Sequence, residues 1–472
     1  MPTFHIEHFG CRATQADAAA IERQLAERGY IAARAAAADV VVVNTCTVTA
    51  AADAQARQAI RALHRENPSA RIVVTGCYAQ RAPEEVAALD GVAWVVGNAH
   101  KPEIPRLLES MSAPDAAALG GSTSFIPLAQ VNADPMSLAR APAKILTGDI
   151  FRQTAVLVAP VLGGEGGHTR PVLKIQDGCN NRCAYCVIPF VRGRSRSLPP
   201  AQVVEEVRRL SAAGYREVVL SGINLGSYGR DLAPRAEFGD LLRRILDETP
   251  LERLRISSIE PMDVTQDLIE FVAGHNRVAR HFHIPLQSGS DRILAAMHRW
   301  YRSAHYARRV EFLRELLPDA GIGADVIAGF PGETEDDHRA TVALLEHLPL
   351  TYLHVFSFSK RPGTQADAMA DEVPFDVIKR RARELRALGE AKRAAFCATQ
   401  TGRTLRVVTL NRSGEWKKED ASSVGSTGAW TGALAGNYLD VRVAGSWPAN
   451  QMLDVRILGA QGNHLVGEPL PH

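Results

Sequence analysis

Short apolar runs alternate with helix-patterned segments along most of this chain, and this alternation is what most restricts its fold. In the first 110 residues, FHIEHF, DVVVVNT and RIVVTG predict strands, with WVVG as a candidate fourth, and QADAAAIERQLAERG predicts a helix that stops near Gly29. Short buried strands separated by helices are typical of a parallel sheet with helices on its faces. We therefore predict an N-terminal parallel α/β domain.

The alternation resumes between Val172 and Ser359 in six rounds. The candidate strands are VLKIQ, REVVLSG, RLRISSI, HFHIPL, IGADVIAGF and YLHVFSFS. Helical stretches such as PAQVVEEVRRLSAAG follow most of them. Six β/α units predict a partial (β/α)6 barrel that is open on one side. An open doubly wound sheet is the alternative that periodicity alone leaves.

The length and composition of the chain predict several domains. A chain of 472 residues is too long for one ordinary domain, and 46% hydrophobic with 22% charged residues is the composition of a globular protein. We predict an α/β domain at 1–110, a linker at 111–168, the barrel at 169–398 and a small β-barrel domain at 399–472. The linker is predicted from weakly patterned stretches such as SAPDAAALGGSTS. The last domain is predicted from β-rich runs such as YLDVRVAG and MLDVRILGA.

Charge and hydropathy exclude some classes of protein and leave others open. The 54 Lys+Arg and 52 Asp+Glu give a net charge of +2, which neither excludes nor indicates nucleic acid, because a basic face can lie within a neutral total. No run approaches the roughly 20 apolar residues of a membrane span, and MPTFHIEHFG lacks the pattern of a signal peptide. The seven cysteines are too few and too unevenly spread for a disulfide scaffold. We expect a cytoplasmic protein with no membrane partner.

The segment DGCNNRCAYC places Cys179, Cys183 and Cys186 in a C-x3-C-x2-C pattern, directly after the first strand of the predicted barrel. Three thiolates on one loop can hold three irons of a [4Fe–4S] cluster and leave the fourth iron open to a small molecule. Structural zinc is the alternative, but it needs four ligands, usually from two paired knuckles, and no second knuckle follows. The carboxyl end of a barrel strand is also where such folds carry their chemistry.

Three further cysteines, Cys11, Cys46 and Cys77, each follow a predicted strand of the N-terminal sheet. They stand after FHIEHFG, VVVVNT and IVVTG. Because the carboxyl ends of parallel strands share one edge of a sheet, we expect the three thiols to converge as a second three-cysteine metal site. Three unrelated buried thiols are the alternative, since cysteine is often buried. Cys397 belongs to neither set and is interpreted as an incidental thiol.

The three-cysteine loop on a partial barrel resembles the signature of the radical S-adenosylmethionine (SAM) enzymes. The resemblance implies that the open iron binds the amino and carboxylate groups of SAM and that the reduced cluster cleaves SAM to a 5′-deoxyadenosyl radical. It also implies that Tyr185 lies near the adenine. Gly222 and Asn224 are candidate cofactor contacts, and Glu260 either contacts the cofactor or caps a loop.

Two open clusters followed by a small β-barrel resemble the methylthiotransferases over nearly the whole chain except the linker. In that family the first cluster carries the sulfur to be inserted. The second cluster generates the radical that removes a hydrogen from an unactivated C–H, and SAM serves as both radical source and methyl donor. The terminal domain resembles the TRAM domain, an RNA-binding barrel of tRNA-modifying enzymes. A reductant such as flavodoxin or ferredoxin is a further expected partner.

Of three branches in that family, the motifs most resemble the one that acts on threonylcarbamoyladenosine in tRNA. SGINLGSYGRD at 221–231 carries most of this resemblance, and HFGCRATQAD and GCNNRCAYCVIPFVRGRSRS agree with it. RAT after Cys11 departs from the family, which more often has a basic residue, Val and Asn there. The implied reaction inserts a methylthio group at C2 of N6-threonylcarbamoyladenosine next to the anticodon. The other branches act on isopentenyladenosine in tRNA or on a ribosomal-protein aspartate.

An RNA substrate, the anticodon stem-loop of tRNA, agrees with the basic stretch VRGRSRS, which contains Arg192, Arg194 and Arg196. These side chains are candidates to hold phosphates, and a solvated basic loop is the alternative. Two other functions remain open from the residues alone. One is a non-catalytic RNA-binding protein with a structural metal, and the other is a radical enzyme whose first domain holds no cluster.

Overall fold

The computed structural model describes residues 1–112, 143–154, 156–157, 159–160, 169–416 and 428–471. It divides the chain into two compact units. Unit 1 comprises Met1–Ala159 together with Val187–Arg194, and unit 2 comprises Pro160–Cys186 together with Ser195–His472. The short segment that follows directly after Cys186 therefore packs within unit 1.

Unit 1 is built on one parallel sheet. Its strands in the described residues are β1 (Thr3–His8), β2 (Ile31–Ala32), β3 (Val40–Thr45), β4 (Arg71–Gly76), β5 (Val92–Val96) and β6 (Lys144–Leu146). Their order across the sheet is β2-β1-β3-β4-β5-β6, and every neighbouring pair is parallel. The predicted N-terminal parallel α/β fold is confirmed.

Helices cover both faces of this sheet, as the fully buried strand β3 requires. The described helices of unit 1 are α1 (Arg12–Ala26), α2 (Ala50–Glu66), α3 (Cys77–Arg81), α4 (Pro83–Ala87), α5 (Ile104–Ser112) and α6 (Ile188–Arg192). Val41 and Val43 of β3 pack in one core with Ile60 of α2, whereas Val42 packs in another core with Ile21 of α1. Alternate side chains of the strand thus face opposite layers.

Part of the predicted linker is structured, so the prediction is wrong for Lys144–Leu146. This segment forms β6 and pairs in parallel with β5, with Trp94 opposite Lys144 and Val96 opposite Leu146. Three residues are too short to show a period-2 pattern in the sequence, and the neighbouring strand supplies the pairing. Residues 113–142 of the predicted linker lie outside the described residues.

Unit 2 begins with six parallel strands that follow one another in space as they do in the chain. They are β7 (Val172–Asp177), β9 (Glu217–Gly222), β10 (Arg253–Ile256), β11 (His281–His283), β12 (Gly321–Ala328) and β13 (Tyr352–Ser357), with the short antiparallel β8 (Arg196–Ser197) beside β7. The sheets β10-β9-β7-β8 and β11-β12-β13 are joined by the bridges Leu254↔Val278 and Ser258↔His283. The strand order does not reverse, which excludes a doubly wound sheet and confirms the partial barrel.

Helices alternate with these strands and then lead into the terminal domain. They are α7 (Pro200–Ala212), α8 (Phe238–Glu248), α9 (Gln266–Gly274), α10 (Asp291–Ala296), α11 (Ser303–Leu316), α12 (Glu335–His347) and α13 (Phe375–Ala398). In the part of the chain that the structure describes, no helix combines the length and apolar character needed to cross a membrane.

The C-terminal domain is a small closed β-barrel, as predicted. Its strands are β14 (Thr404–Glu415), β15 (Ala429–Ala435), β16 (Asp440–Ala444), β17 (Met452–Gln461) and β18 (His464–Pro469), closed in the order β14-β15-β16-β18-β17. Cys397 at the end of α13 is fully buried in the core of this barrel, against Val407 and Leu453. It is a core side chain there.

A buried ionic group connects the two barrels of unit 2. Glu217, at the start of β9, is fully buried and accepts hydrogen bonds from Arg253 and Arg255 of β10. The same two guanidinium groups donate to backbone carbonyls of the terminal barrel, including those of Arg406 at 2.6 Å and Ala435 at 3.0 Å. Burial raises the pKa of Glu217, but the surrounding guanidinium groups lower it more, to about 2.

We expect Glu217→Gln to lower the free energy of unfolding by about 3 kcal/mol, because it leaves buried guanidinium groups without their counter-charge. The folded-state pKa lies below the ordinary 4.5, so the stabilising contribution is fully present above pH 4.5 and is lost as the pH falls toward 2. Urea denaturation of the wild-type and Glu217→Gln proteins at several pH values measures this difference in stability.

Glu252→Gln is the control. Glu252 makes partly exposed ion pairs with Arg216 and Arg406, so its replacement should cost less than about 1 kcal/mol. Equal losses in the two variants would contradict the role of Glu217.

Candidate functional site

The loop that carries Cys179, Cys183 and Cys186 is held from both sides within unit 2. Ala184 donates its N–H to the carbonyl of Met297 at 3.0 Å and accepts from the N–H of Ala366 at 2.8 Å. The three cysteine residues are partly exposed. Burial raises the pKa of Cys179 to about 11, and the neighbouring Cys183 acts in the same direction. The predicted three-cysteine loop is therefore anchored at the carboxyl end of β7.

A buried ion pair that the sequence analysis did not find lies against this loop. Arg299 has a side chain that is only 3% exposed, and its Nη1 donates to Sγ of Cys183 at 3.3 Å. The same guanidinium pairs with both carboxylate oxygens of Glu260. Glu260, a candidate cofactor contact from the sequence, is thus linked to Cys183 through Arg299. No local pattern marks Arg299, because it follows Cys183 by 116 positions.

Asn224 and Gly222, both predicted cofactor contacts, are positioned by Gln176 of β7. The N–H of Asn224 donates to Oε1 of Gln176 at 2.8 Å, and its Nδ2 lies 3.8 Å from Sγ of Cys179. A Cβ at Gly222 would lie 2.9 Å from the same Oε1, so the glycine permits this approach. Oδ1 of Asn224 is buried without a hydrogen-bond partner among the described residues. A buried acceptor beside a cysteine loop is suited to a donor group of a ligand.

Tyr185 lies in an apolar cluster beside the same loop. Its ring packs edge-on against Phe330, with the ring centroids 6.4 Å apart, in a group that also contains Ile293 and Met297. Burial raises the pKa of the Tyr185 phenol well above its ordinary value. An aromatic ring of this kind can stack against a planar ring of a ligand. The contacts of Tyr185 with this cluster are also those of an ordinary core side chain.

Within unit 1, the structure brings Cys11, Cys46 and Cys77 together. They follow β1, β3 and β4, which are adjacent in the sheet. A Cβ on Gly10 would lie 2.7 Å from Sγ of Cys46, and Gly10 has a φ of +105°, so the chain before Cys11 passes directly against Cys46. Burial, together with the neighbouring Cys77 and Cys11, raises the pKa of Cys46 to about 12. Three cysteines at adjacent strand ends are a donor set for iron or zinc.

Buried positive charges lie beside these three thiols. Lys101 and Arg192 both donate to Oδ2 of Asp17, at 2.7 and 3.0 Å, and all three side chains are buried. The charge of Arg192 offsets part of the rise in the pKa of Cys46, and Lys101 interacts electrostatically with Cys77. A positive charge beside a cysteine acts in favour of its thiolate form, which is the form that binds a metal. No sequence pattern marks Lys101 as a neighbour of these cysteines.

The predicted phosphate-binding role of the basic stretch does not fit Arg192 or Arg196. Arg192 is 2% exposed and paired with Asp17, and Arg196 is 7% exposed and lies 3.8 Å from Asp177. Arg194 is exposed. A run of alternating basic residues does not reveal which of them the fold buries, and here burial turns two of the three into structural ion pairs.

Known proteins match this chain in both of its α/β regions. Residues 3–97 match UPF0004, an uncharacterized protein family, and residues 173–345 match the radical SAM superfamily. A protein of Aquifex aeolicus named threonylcarbamoyladenosine tRNA methylthiotransferase MtaB is 37% identical over 409 residues, which cover 86% of this chain and 92% of that protein. The chain belongs to the radical SAM tRNA methylthiotransferase family. It is thereby a transferase-type radical SAM enzyme, and that superfamily uses a [4Fe–4S] cluster and SAM.

Relatives with two different names match at similar levels. A Bacillus subtilis protein with the MtaB name is 35% identical, covering 89% of this chain and 87% of that protein. A Chlorobium chlorochromatii protein named tRNA-2-methylthio-N(6)-dimethylallyladenosine synthase is 33% identical, covering 99% of this chain and 97% of that protein. Among solved structures, the radical SAM methyltransferase TsrM of Kitasatospora setae has a TM-score of 0.53 at 18% identity, covering 78% of this chain and 77% of that one. That likeness supports the fold.

Proposed function

We propose that this enzyme inserts a methylthio group at C2 of N6-threonylcarbamoyladenosine, next to the anticodon of tRNA. The observation that carries the proposal is the pair of three-cysteine sites, one in each unit, in a chain 37% identical to a threonylcarbamoyladenosine tRNA methylthiotransferase. The segment SGINLGSYGRD supports the same branch. It supplies Asn224, whose side chain lies beside Cys179.

The unit 2 site would hold the radical-generating cluster through Cys179, Cys183 and Cys186. Its residues fit SAM, because a buried acceptor, Oδ1 of Asn224, stands unpartnered in the described residues next to Cys179 and suits an ammonium donor. Arg299 would orient Cys183 and bring Glu260 to the same place. Tyr185 would offer its ring to the adenine.

The unit 1 site would hold a second cluster through Cys11, Cys46 and Cys77. The donor set fits, since Cys46 interacts electrostatically with Cys11, Cys77 and Arg192, and Cys77 with Lys101. Together the cofactors would supply a carbon-centred radical that removes the C2 hydrogen and the sulfur that replaces it. The chain itself binds and orients these groups. A small electron-transfer protein such as flavodoxin or ferredoxin would supply the electron.

Unit 2 also offers features suited to an RNA substrate. Trp300 adjoins Arg299 in sequence and is 76% exposed. Proteins that recognise single-stranded RNA loops stack unpaired bases on such aromatic side chains. We propose that the terminal β-barrel contributes a further part of the tRNA surface, as its resemblance to a TRAM domain implies.

A second substrate, N6-dimethylallyladenosine in tRNA, is the competing candidate. It is favoured by the Chlorobium relative, which aligns over 99% of this chain. The two candidates differ at the N6 substituent, which is a charged threonylcarbamoyl group in one and an apolar dimethylallyl group in the other. A pocket for the first needs polar partners, and a pocket for the second needs apolar ones.

Deletion of the gene should remove the methylthio form of threonylcarbamoyladenosine from cellular tRNA, while the unmodified threonylcarbamoyladenosine persists. Mass spectrometry of nucleosides from digested tRNA measures both. Return of the wild-type gene should restore the product, and the Cys183→Ala form should not. An unchanged level of that nucleoside, with the methylthio dimethylallyl product missing instead, would assign the enzyme to the competing substrate.

A further inference from the structure

Three metal-ligating side chains meet on the inner face of the second half of the partial barrel. His283 ends β11, Asp325 lies in β12 and His354 lies in β13. Asp325 stands directly opposite His354 in the parallel register, and His283 stands opposite Gly323, two positions earlier on the same face of β12. None of the three belongs to either cysteine site.

The spacing of these side chains is that of ligands around one ion. Nε2 of His283 lies 3.1 Å from Oδ1 of Asp325, and Nδ1 of His354 lies 3.3 Å from the same oxygen. One ligand atom from each residue lies within 4.8 Å of the others. Ligands held at about 2.0–2.2 Å around a tetrahedral zinc ion are separated by roughly 3.3 Å. The side chain of His354 is half-exposed.

The buried part of this group is held by a close polar contact. His283 is only 7% exposed, and its Nε2 lies 3.1 Å from Oδ1 of Asp325, which is hydrogen-bond distance when that nitrogen carries the proton. A metal ion would take the place of that proton, because it binds neutral imidazole nitrogen and ionised carboxylate oxygen.

Other side chains hold the histidine in place, as in known metal sites. Oγ of Ser258 lies 2.7 Å from Nδ1 of His283, which leaves Nε2 directed toward Asp325. The ring of Tyr352 stacks on His283 with a centroid separation of 5.8 Å and an interplanar angle of 8°. Tyr352 is itself fixed by a 2.8 Å hydrogen bond between its hydroxyl and Nε2 of His281.

We propose that His283, Asp325 and His354 form a binding site for a single divalent transition-metal ion, with zinc as the probe because it suits the donor set and is distinguished from the iron of the clusters. Two imidazole nitrogens and one carboxylate oxygen are the ligands of zinc sites that keep a fourth position open. A water or an anionic oxygen would complete the coordination at that position. The site is independent of the proposed methylthio transfer, because it shares no ligand with the clusters.

Zinc binding to the anaerobically reconstituted full-length chain tests this site. After addition of ZnCl2 and exchange into chelator-treated buffer, elemental analysis should find one zinc per chain in addition to the iron. Zinc-edge X-ray absorption should show nitrogen and oxygen ligands at about 2.0–2.1 Å and no sulfur at about 2.3 Å. Sulfur ligands would place the zinc in a cysteine site and overturn the proposal, as would the absence of retained zinc.

Ligand variants make the test specific. Asp325→Asn and His354→Gln should each weaken zinc binding at least about tenfold in a chelator competition assay, while their iron content stays at the wild-type level. His347→Gln is the matched control, because the His347 side chain is 74% exposed and lies 3.4 Å from Glu311, away from the three proposed ligands in sequence. Wild-type zinc affinity in both ligand variants would overturn the assignment. Since iron content and zinc content are read separately, failure of the cluster proposal remains distinguishable.

Discussion

Replacing Cys183 by alanine is expected to abolish reductive cleavage of SAM and to lower the iron content from about eight to about four atoms per chain. Three thiolates are the minimum set that holds a cluster with an open iron, and Cys183 also receives the 3.3 Å hydrogen bond from the buried Arg299. The variant loses a metal ligand and leaves that guanidinium without its sulfur partner. Production of 5′-deoxyadenosine, measured by chromatography after anaerobic reconstitution with dithionite, reports the cleavage.

Cys397→Ala is the matched control for this experiment. It removes the same atoms from a thiol that is fully buried in the terminal barrel and lies in neither three-cysteine site. We expect wild-type iron content and wild-type SAM cleavage, with a stability loss of about 1 kcal/mol from the small cavity. Retention of cleavage in Cys183→Ala, or its loss in Cys397→Ala, would contradict the assignment of the unit 2 loop.

Replacing Cys46 by alanine should separate the two proposed activities. We expect iron to fall to about four atoms per chain and SAM cleavage to continue, while the methylthio nucleoside disappears. The reason is that Cys46 adjoins Cys11 and Cys77 in unit 1, whereas the proposed radical-generating ligands all belong to unit 2. Incubation with tRNA carrying threonylcarbamoyladenosine, followed by nucleoside mass spectrometry, measures the product.

Two results would contradict that division of labour. Loss of both cleavage and product in Cys46→Ala, with the iron content reduced below about four, would show that unit 1 supports the other cluster. Wild-type iron content with normal product would show that Cys46 holds no metal. A third outcome, zinc with no iron in the wild-type chain, would contradict both cluster proposals.

The positions of the cysteines could be predicted because strand ends are visible in the sequence. Apolar runs such as VVVVNT define a buried parallel strand, and the residue that follows it must lie at the carboxyl edge of the sheet. This is why Cys46 and Cys77, which each directly follow a predicted strand, could be expected near one another. Their roles as metal ligands stay predictions for the experiments above.

The side chains that support these cysteines could not be predicted in the same way. Arg299 reaches Cys183 across 116 positions, and Lys101 reaches Asp17 across 84, with no periodic pattern to connect either pair. The sequence makes Arg192 a candidate phosphate contact, because a basic residue in a basic run has no mark of burial. Which guanidinium is exposed depends on the elements packed around it, and those come from distant parts of the chain.

The sequence by itself determined the fold class, the two barrel-like parts of the second unit and the six cysteines at strand ends, since all of these follow from local hydrophobic periodicity and from residue types. Only the tertiary structure decided which charged groups are buried beside the thiols. It alone brought His283, Asp325 and His354 to within 4.8 Å of one another on three neighbouring strands. The physical reason is that burial and ligand geometry depend on contacts between strands, and the sequence order of a strand carries no record of its neighbour's register.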